Sequence, residues 1–140
     1  MQLKTLTYTS RAALDLTSAD LLDIHQKARR RNALDRITGL LIFNGVHFLQ
    51  IVEGGDAALD DLMMRLRRDH RHTAVEIRHS HTMAERAFAE WSMELVQVSS
   101  ERFTARQEIA SALPWDLQPE IRERVLAMTD GIGQAVSLPD

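Results

Sequence analysis

The chain has 140 residues, 44% of them hydrophobic and 26% charged, with a formal net charge of −3 and no cysteine. That length suits one domain with a short appendage, and the composition is that of an ordinary globular chain, neither disordered nor fibrous. The net charge argues against a nucleic-acid partner held by bulk electrostatics, and the missing thiols exclude disulfides, thiolate metal sites, iron–sulfur clusters and a cysteine nucleophile.

No apolar run approaches the roughly 20 residues of a membrane span. The N-terminus lacks the basic-then-apolar pattern of a secretory signal. A cytoplasmic location without a membrane partner is the expectation.

The first element is a short β-prone stretch, "LKTLTY", residues 3–8, followed by the turn-rich "TSRAALDLTSAD". Thr17 with Asp20 three positions on forms a capping-box pattern that opens a helix. Leu21, Ile24, Ala28 and Asn32 fall on one stripe of that helix at about 100° per residue, so Asn32 closes its apolar face. Next come two apolar runs in "ITGLLIFNGVHFLQIVEG", around Asn44-Gly45. A two-residue type I′ turn there pairs Phe43 with Val46, Leu41 with Phe48 and Gly39 with Gln50.

A second helix follows in "DAALDDLMMRLRRD", where Leu59, Leu62, Met63 and Leu66 recur at helical spacing and the charges run acidic to basic along the dipole. Strands are expected in "TAVEIRHSHT" and "WSMELVQV", the latter with Trp91, Met93 and Leu95 on one face. The order β-α-β-β-α-β-β predicts an α+β, ferredoxin-like mixed five-stranded sheet with both helices on one face. Beyond Ser99, "ERFTARQEIASAL" and "LQPEIRERVLAMTDGI", separated by Pro114, predict C-terminal helices placed to cover the other face. Residues 1–98 then form the core domain and 99–140 a helical extension.

Gln50 is the residue in need of an explanation. It is a primary amide in an otherwise apolar strand, and hiding it without partners costs roughly 1–3 kcal/mol. Either it bonds edge backbone or water, or it faces a pocket with Tyr8 and Asn32, where a flat, amide-rich heterocycle over Leu41 and Phe48 would pair with both carboxamides. Tyr8, the only tyrosine, reads as packing or as an electron and proton donor to a redox-active ring. Trp91 and Met93 read first as packing.

Taken together, Tyr8, Asn32, "ITGLLIFNGVHFLQIVEG" and "WSMEL" resemble the BLUF family, blue-light sensors that use FAD. The resemblance spans about residues 1–98. It implies an isoalloxazine ring between the two helices, Asn32 on its carbonyl and N–H edge, and Gln50 between flavin and Tyr8. It further implies Ile24, Leu41, Phe48, Arg65, Leu66 and Asp69 around the ring or its ribityl-phosphate arm, with Arg31 beside Asn32. Light would draw an electron and a proton from Tyr8 through Gln50 and leave a rearranged hydrogen-bond network read by Trp91 or Met93. No substrate is turned over. Output would pass to an unidentified downstream protein by contact, with a homodimer as a further arrangement.

Three other readings compete with this one. A phosphate-binding hydrolase on the same scaffold would use Arg11, Asn32 and Asn44, but no nucleophile and base accompany them. The His70/His72 and His79/His81 pairs suggest a metal site, yet His70 and His72 fall in a charged turn and no carboxylate or thiolate completes either pair. The basic "KARRRN" suggests nucleic acid, but it sits where a helix C-terminus favours cations.

Overall fold

A computed structural model describes residues 2–89, 91–98, 102–113, 115 and 117–127. In chain order these form β1 (Leu3–Ala12), α1 (Ser18–Leu34), β2 (Thr38–Phe43), β3 (His47–Gly55), α2 (Asp56–Arg68), β4 (His72–Thr82), β5 (Ser92–Gln97) and α3 (Arg102–Ala112), then a final helix α4 over residues 119–127. The expected stretch 128–132 of that last helix lies outside the described residues. The sheet order is β4-β1-β3-β2-β5, antiparallel except for the parallel β2–β5 pair. This is the ferredoxin-like architecture, with one added strand. Among the described residues no helix is long and apolar enough to cross a membrane.

The Thr17 capping box forms, Asp20 N–H donating to the Thr17 hydroxyl and Thr17 N–H to the Asp20 carboxylate, which fixes where α1 begins. Strand β1 runs four residues further than "LKTLTY", because Arg11 pairs with His47 and Ala12 with His72. Tertiary pairing overrides the turn composition there.

Two apolar layers sandwich the sheet. On one face Leu6, Tyr8, Leu41, Phe48, Val52 and Met93 pack against Leu21 and Ile24 of α1 and Leu59, Leu62 and Met63 of α2. On the other, Leu40, Ile42, Leu49 and Ile51 meet Ile109 and Leu113 at the end of α3, and Val125 and Leu126 of α4. Alternate residues of the same strands therefore feed the two layers, as strand geometry requires.

The β2–β3 hairpin departs from expectation. Phe43 pairs with Phe48, Leu41 with Gln50, and Gly39 with Val52, a shift of two residues. The turn is four residues long because Asn44 Oδ1 accepts from the N–H groups of Val46 (3.0 Å) and His47 (2.7 Å), so the side chain closes it and only Gly45 takes a positive φ. An even shift keeps every side chain on its predicted face. It changes the neighbours: Gln50 lies beside Leu41 on one side and Tyr8 on the other.

Strand β5 carries the other correction. Its pairing with β2 skips a residue between Gly39 and Leu40, and Met93 takes φ +97°, which makes a bulge. The bulge breaks the simple alternation. Met93 and Leu95 pack with the α1–α2 layer, whereas Trp91 packs across the sheet with the α3–α4 layer, its ring 5.6 Å from that of Phe88. Opposite the bulge, Gly39 approaches β3 so closely that an added Cβ would lie 1.9 Å from the Ile51 carbonyl oxygen.

Candidate functional site

A cleft of about 410 Å³ opens between α1, α2 and the sheet, within the range of small-molecule sites. Tyr8, Ile24, Arg31, Asn32, Leu41, Gln50, Arg65, Leu66 and Asp69 all line it. Phe48 does not. It lies fully buried beside the cleft, its ring between those of Phe43 (4.5 Å) and His72 (4.6 Å).

The sheet builds one wall. Tyr8, Gln50 and Leu41 stand side by side on three adjacent strands. The Tyr8 hydroxyl donates to Gln50 Oε1, and Gln50 Nε2 donates to the Met93 sulfur at 2.9 Å. The buried amide thus has a partner on each side, and its second N–H hydrogen remains to be used. Burial, and secondarily the charge of Asp69, raises the Tyr8 phenol above its ordinary pKa, so the hydroxyl keeps its proton. Met93 is tied from the other side as well, since His25 Nε2–H of α1 donates to its carbonyl at 3.0 Å.

Asn32 forms the opposite lip, on the last turn of α1. It is fully buried, and neither its Oδ1 nor its Nδ2 has a hydrogen-bond partner. An amide with both ends unsatisfied costs on the order of 1–3 kcal/mol per group. The cost is removed by a ligand with a donor and an acceptor side by side. A flavin's carbonyl and N–H edge has that chemistry, so the residues fit the group.

Charge is concentrated at the rim. Lys27, Arg30, Arg31, Arg65 and Arg71 line the cleft with the single carboxylate Asp69. Arg31 and Arg65 reach both Asp35 and Asp61, Lys27 pairs with Asp23, and Arg71 bonds both Asp69 and Asp23. Burial opposes ionisation of Asp69, but the Arg71 hydrogen bonds and charge outweigh it and hold the carboxyl below its usual range. Among the described residues Arg30 shows no carboxylate partner.

Of the lining residues, Lys27, Ala28, Leu34, Leu62, Arg71 and His72 escape the sequence reading, which placed His72 in a charged turn. Instead His72 opens β4 and is buried, its Nδ1 2.9 Å from Ser10 Oγ. Burial depresses its pKa, with Asp69 opposing. No local pattern marks Arg71 or His72, since burial along β4 does not alternate and His72 is placed by its pairing with Ala12 of β1. Among the described residues no group of three or more His, Cys, Asp or Glu is placed to hold a metal. The residues weighed for phosphate are not brought together in the cleft either: Asn44 Oδ1 closes the hairpin turn, and Arg11 and Asn44 are absent from its lining.

The family model described as "BLUF: Sensors of blue-light using FAD" matches residues 3–94. A photoactivated adenylate cyclase subunit beta of Euglena longa is 41% identical over 92 residues, 65% of this chain and 11% of that protein. The chain thus spans about a tenth of the length of the curated relatives it matches. Among solved structures, the dark state of the BLUF protein BlrB superposes with a TM-score of 0.71 at 33% identity, covering 96% of this chain and 97% of that one. Klebsiella pneumoniae BlrP1, solved with FMN and cyclic diGMP, gives a TM-score of 0.75 at 30% identity over 98% of this chain and 37% of that one.

Proposed function

The chain belongs to the BLUF family of blue-light flavin sensors, and from that premise we propose that its cleft binds FAD without a covalent bond and that Tyr8 and Gln50 form its light switch. The observation that carries this reading is the Tyr8–Gln50–Met93 hydrogen-bond chain along one wall of a cleft whose opposite lip holds the unpaired Asn32 amide. The bound flavin supplies a ring that absorbs blue light and, once excited, takes up an electron.

The protein's own share starts at Tyr8. Burial keeps its hydroxyl protonated, so the electron leaves a neutral phenol and the hydroxyl proton follows, with Gln50 Oε1 the acceptor within hydrogen-bond reach. Both return to Tyr8 afterwards, and no substrate is consumed. What persists is a Gln50 amide that has rotated, tautomerised or both, exchanging what it presents to Tyr8 and to the Met93 sulfur. Such an amide has two arrangements of similar energy, which is what a switch requires.

Asn32 takes the ring's carbonyl and N–H edge in this reading, and Ile24, Leu41 and Leu66 contact its apolar body. Arg31, Arg65 and Asp69 border the ribityl-phosphate arm. Arg30, the rim cation lacking a carboxylate partner among the described residues, is available to the cofactor's phosphate groups. Phe48 supports the wall from behind, and Trp91 reports to the other face.

Residues 1–98 form the sensor and 99–140 the output extension, which signals by contact to a protein partner or to a second copy of this chain. A cytoplasmic setting suits a chain without cysteine. The test is the absorbance spectrum of the FAD-loaded chain before and just after blue illumination. A reversible red shift supports the reading; a chain that fails to retain flavin on reconstitution overturns it.

A further inference from the structure

We infer that Glu53 fastens the β4–β5 loop to the strand that carries Gln50, and is therefore a positioning residue for the light signal; this rests on the sensor reading above. Glu53 lies three residues after Gln50 on β3, so its side chain points to the opposite face of the sheet. It is a carboxylate with no solvent exposure.

Its oxygens are fully engaged. Oε1 accepts from the Phe88 N–H (2.9 Å) and the Thr38 hydroxyl (3.1 Å), and Oε2 accepts from the Ala87 N–H (2.7 Å). Arg86 completes the clamp from the loop side. Its Nη1 donates to the Glu53 carbonyl and to Thr38 Oγ1, both at 2.8 Å, and its Nη2 to the Arg36 carbonyl at 2.7 Å. Three consecutive loop residues thus bind one point of β3.

The choice of an acid follows from those donors. An apolar residue would leave two buried N–H groups unpaired, and a carboxamide would turn its own NH₂ toward one of the donors. What the clamp holds in place is Phe88, buried in one cluster with Ile109, Leu113 and Leu117, its ring tilted against that of Trp91. The loop then delivers Trp91 to the Met93 bulge. Glu53 therefore fixes a connection that touches the α3–α4 layer at Phe88 and leads toward the Gln50 chain at Met93.

The experiment is amide exchange on the full chain loaded with FAD, dark and lit, with the absorbance shift recorded in parallel. For Glu53→Gln we expect the Ala87 and Phe88 amides to exchange about tenfold faster or more in the dark. We also expect an intact red shift, and a lit-minus-dark difference over residues 106–127 below about half that of the unsubstituted chain. Unchanged exchange at Ala87 and Phe88, or a full lit-minus-dark difference, would overturn the inference. Arg86→Gln breaks the clamp from the partly exposed loop side and must give the same split should Glu53→Gln not fold. If the unsubstituted chain shows no red shift, the sensor reading and the signalling role fall together, while the dark exchange rates still decide the clamp.

Discussion

The two faces of this sheet are made by alternate residues of the same strands, yet they differ in kind. The α1–α2 face interrupts its apolar layer with Tyr8, Gln50 and Asn32 around an open cleft. The α3–α4 face is closed over Leu40, Ile42, Leu49 and Ile51, and its buried acid, Glu53, is fully bonded. The first leaves the Asn32 amide unpaired beside the cleft, whereas the second pairs both oxygens of its buried acid. On the switch reading proposed above, a rearranged amide would reach the other face at the Met93 bulge and the loop before it, where the strand departs from regular alternation.

The difference is broken most sharply by Tyr8→Phe, which should leave flavin bound and abolish the light-induced red shift altogether, as read by difference absorbance. A Tyr8→Phe protein that still shifted would place the switch elsewhere. On the closed face, Ile109→Ala should cost about 2–5 kcal/mol in urea unfolding through the cavity it leaves. It should spare the red shift, since Ile109 packs in the layer on the other face of the sheet.

Asn32→Leu sharpens the contrast by its sign. Removing a buried amide with no partner should raise the stability of the flavin-free protein by about 1–3 kcal/mol, where most buried substitutions lower it. Flavin affinity, followed by fluorescence titration, should fall at least about tenfold. A destabilised apoprotein would show that Asn32 already has partners.

The smallest effect concerns pH. His72 has a folded pKa depressed by burial, so above its unfolded value of about 6.5 the stability it contributes is complete. As pH falls below that, the unfolded chain takes up the proton first and stability drops, by at most about 1.4 kcal/mol per pH unit for this residue. Urea midpoints at pH 7 and 5.5 should show the slope. His72→Asn should flatten it in part, because His47 and His81 are also lowered, each chiefly by burial.

Much of this was legible in the sequence, for physical reasons. Asn32 announces itself as the one polar residue closing an apolar stripe, and Gln50 as a carboxamide inside a buried strand. The faces survive the mistaken hairpin because the error is two residues, but Gln50's true neighbour on β2, Leu41, depends on a side chain closing a turn that composition assigned to the backbone. Trp91 was assigned to the wrong face because nothing in "WSMEL" marks a methionine that will take a positive φ. Arg71 and His72 were hidden by their charge, which reads as a turn until tertiary pairing with β1 is known.

That methionine has a further consequence. Its φ of +97° is a conformation that side chains other than glycine rarely adopt, and holding it costs on the order of 1–3 kcal/mol. The backbone at the end of the Gln50 chain is therefore loaded like a cocked spring, with the amide and His25 as its catch. Under the switch proposed above, light would have only to release that catch, because folding has already done the work of winding it.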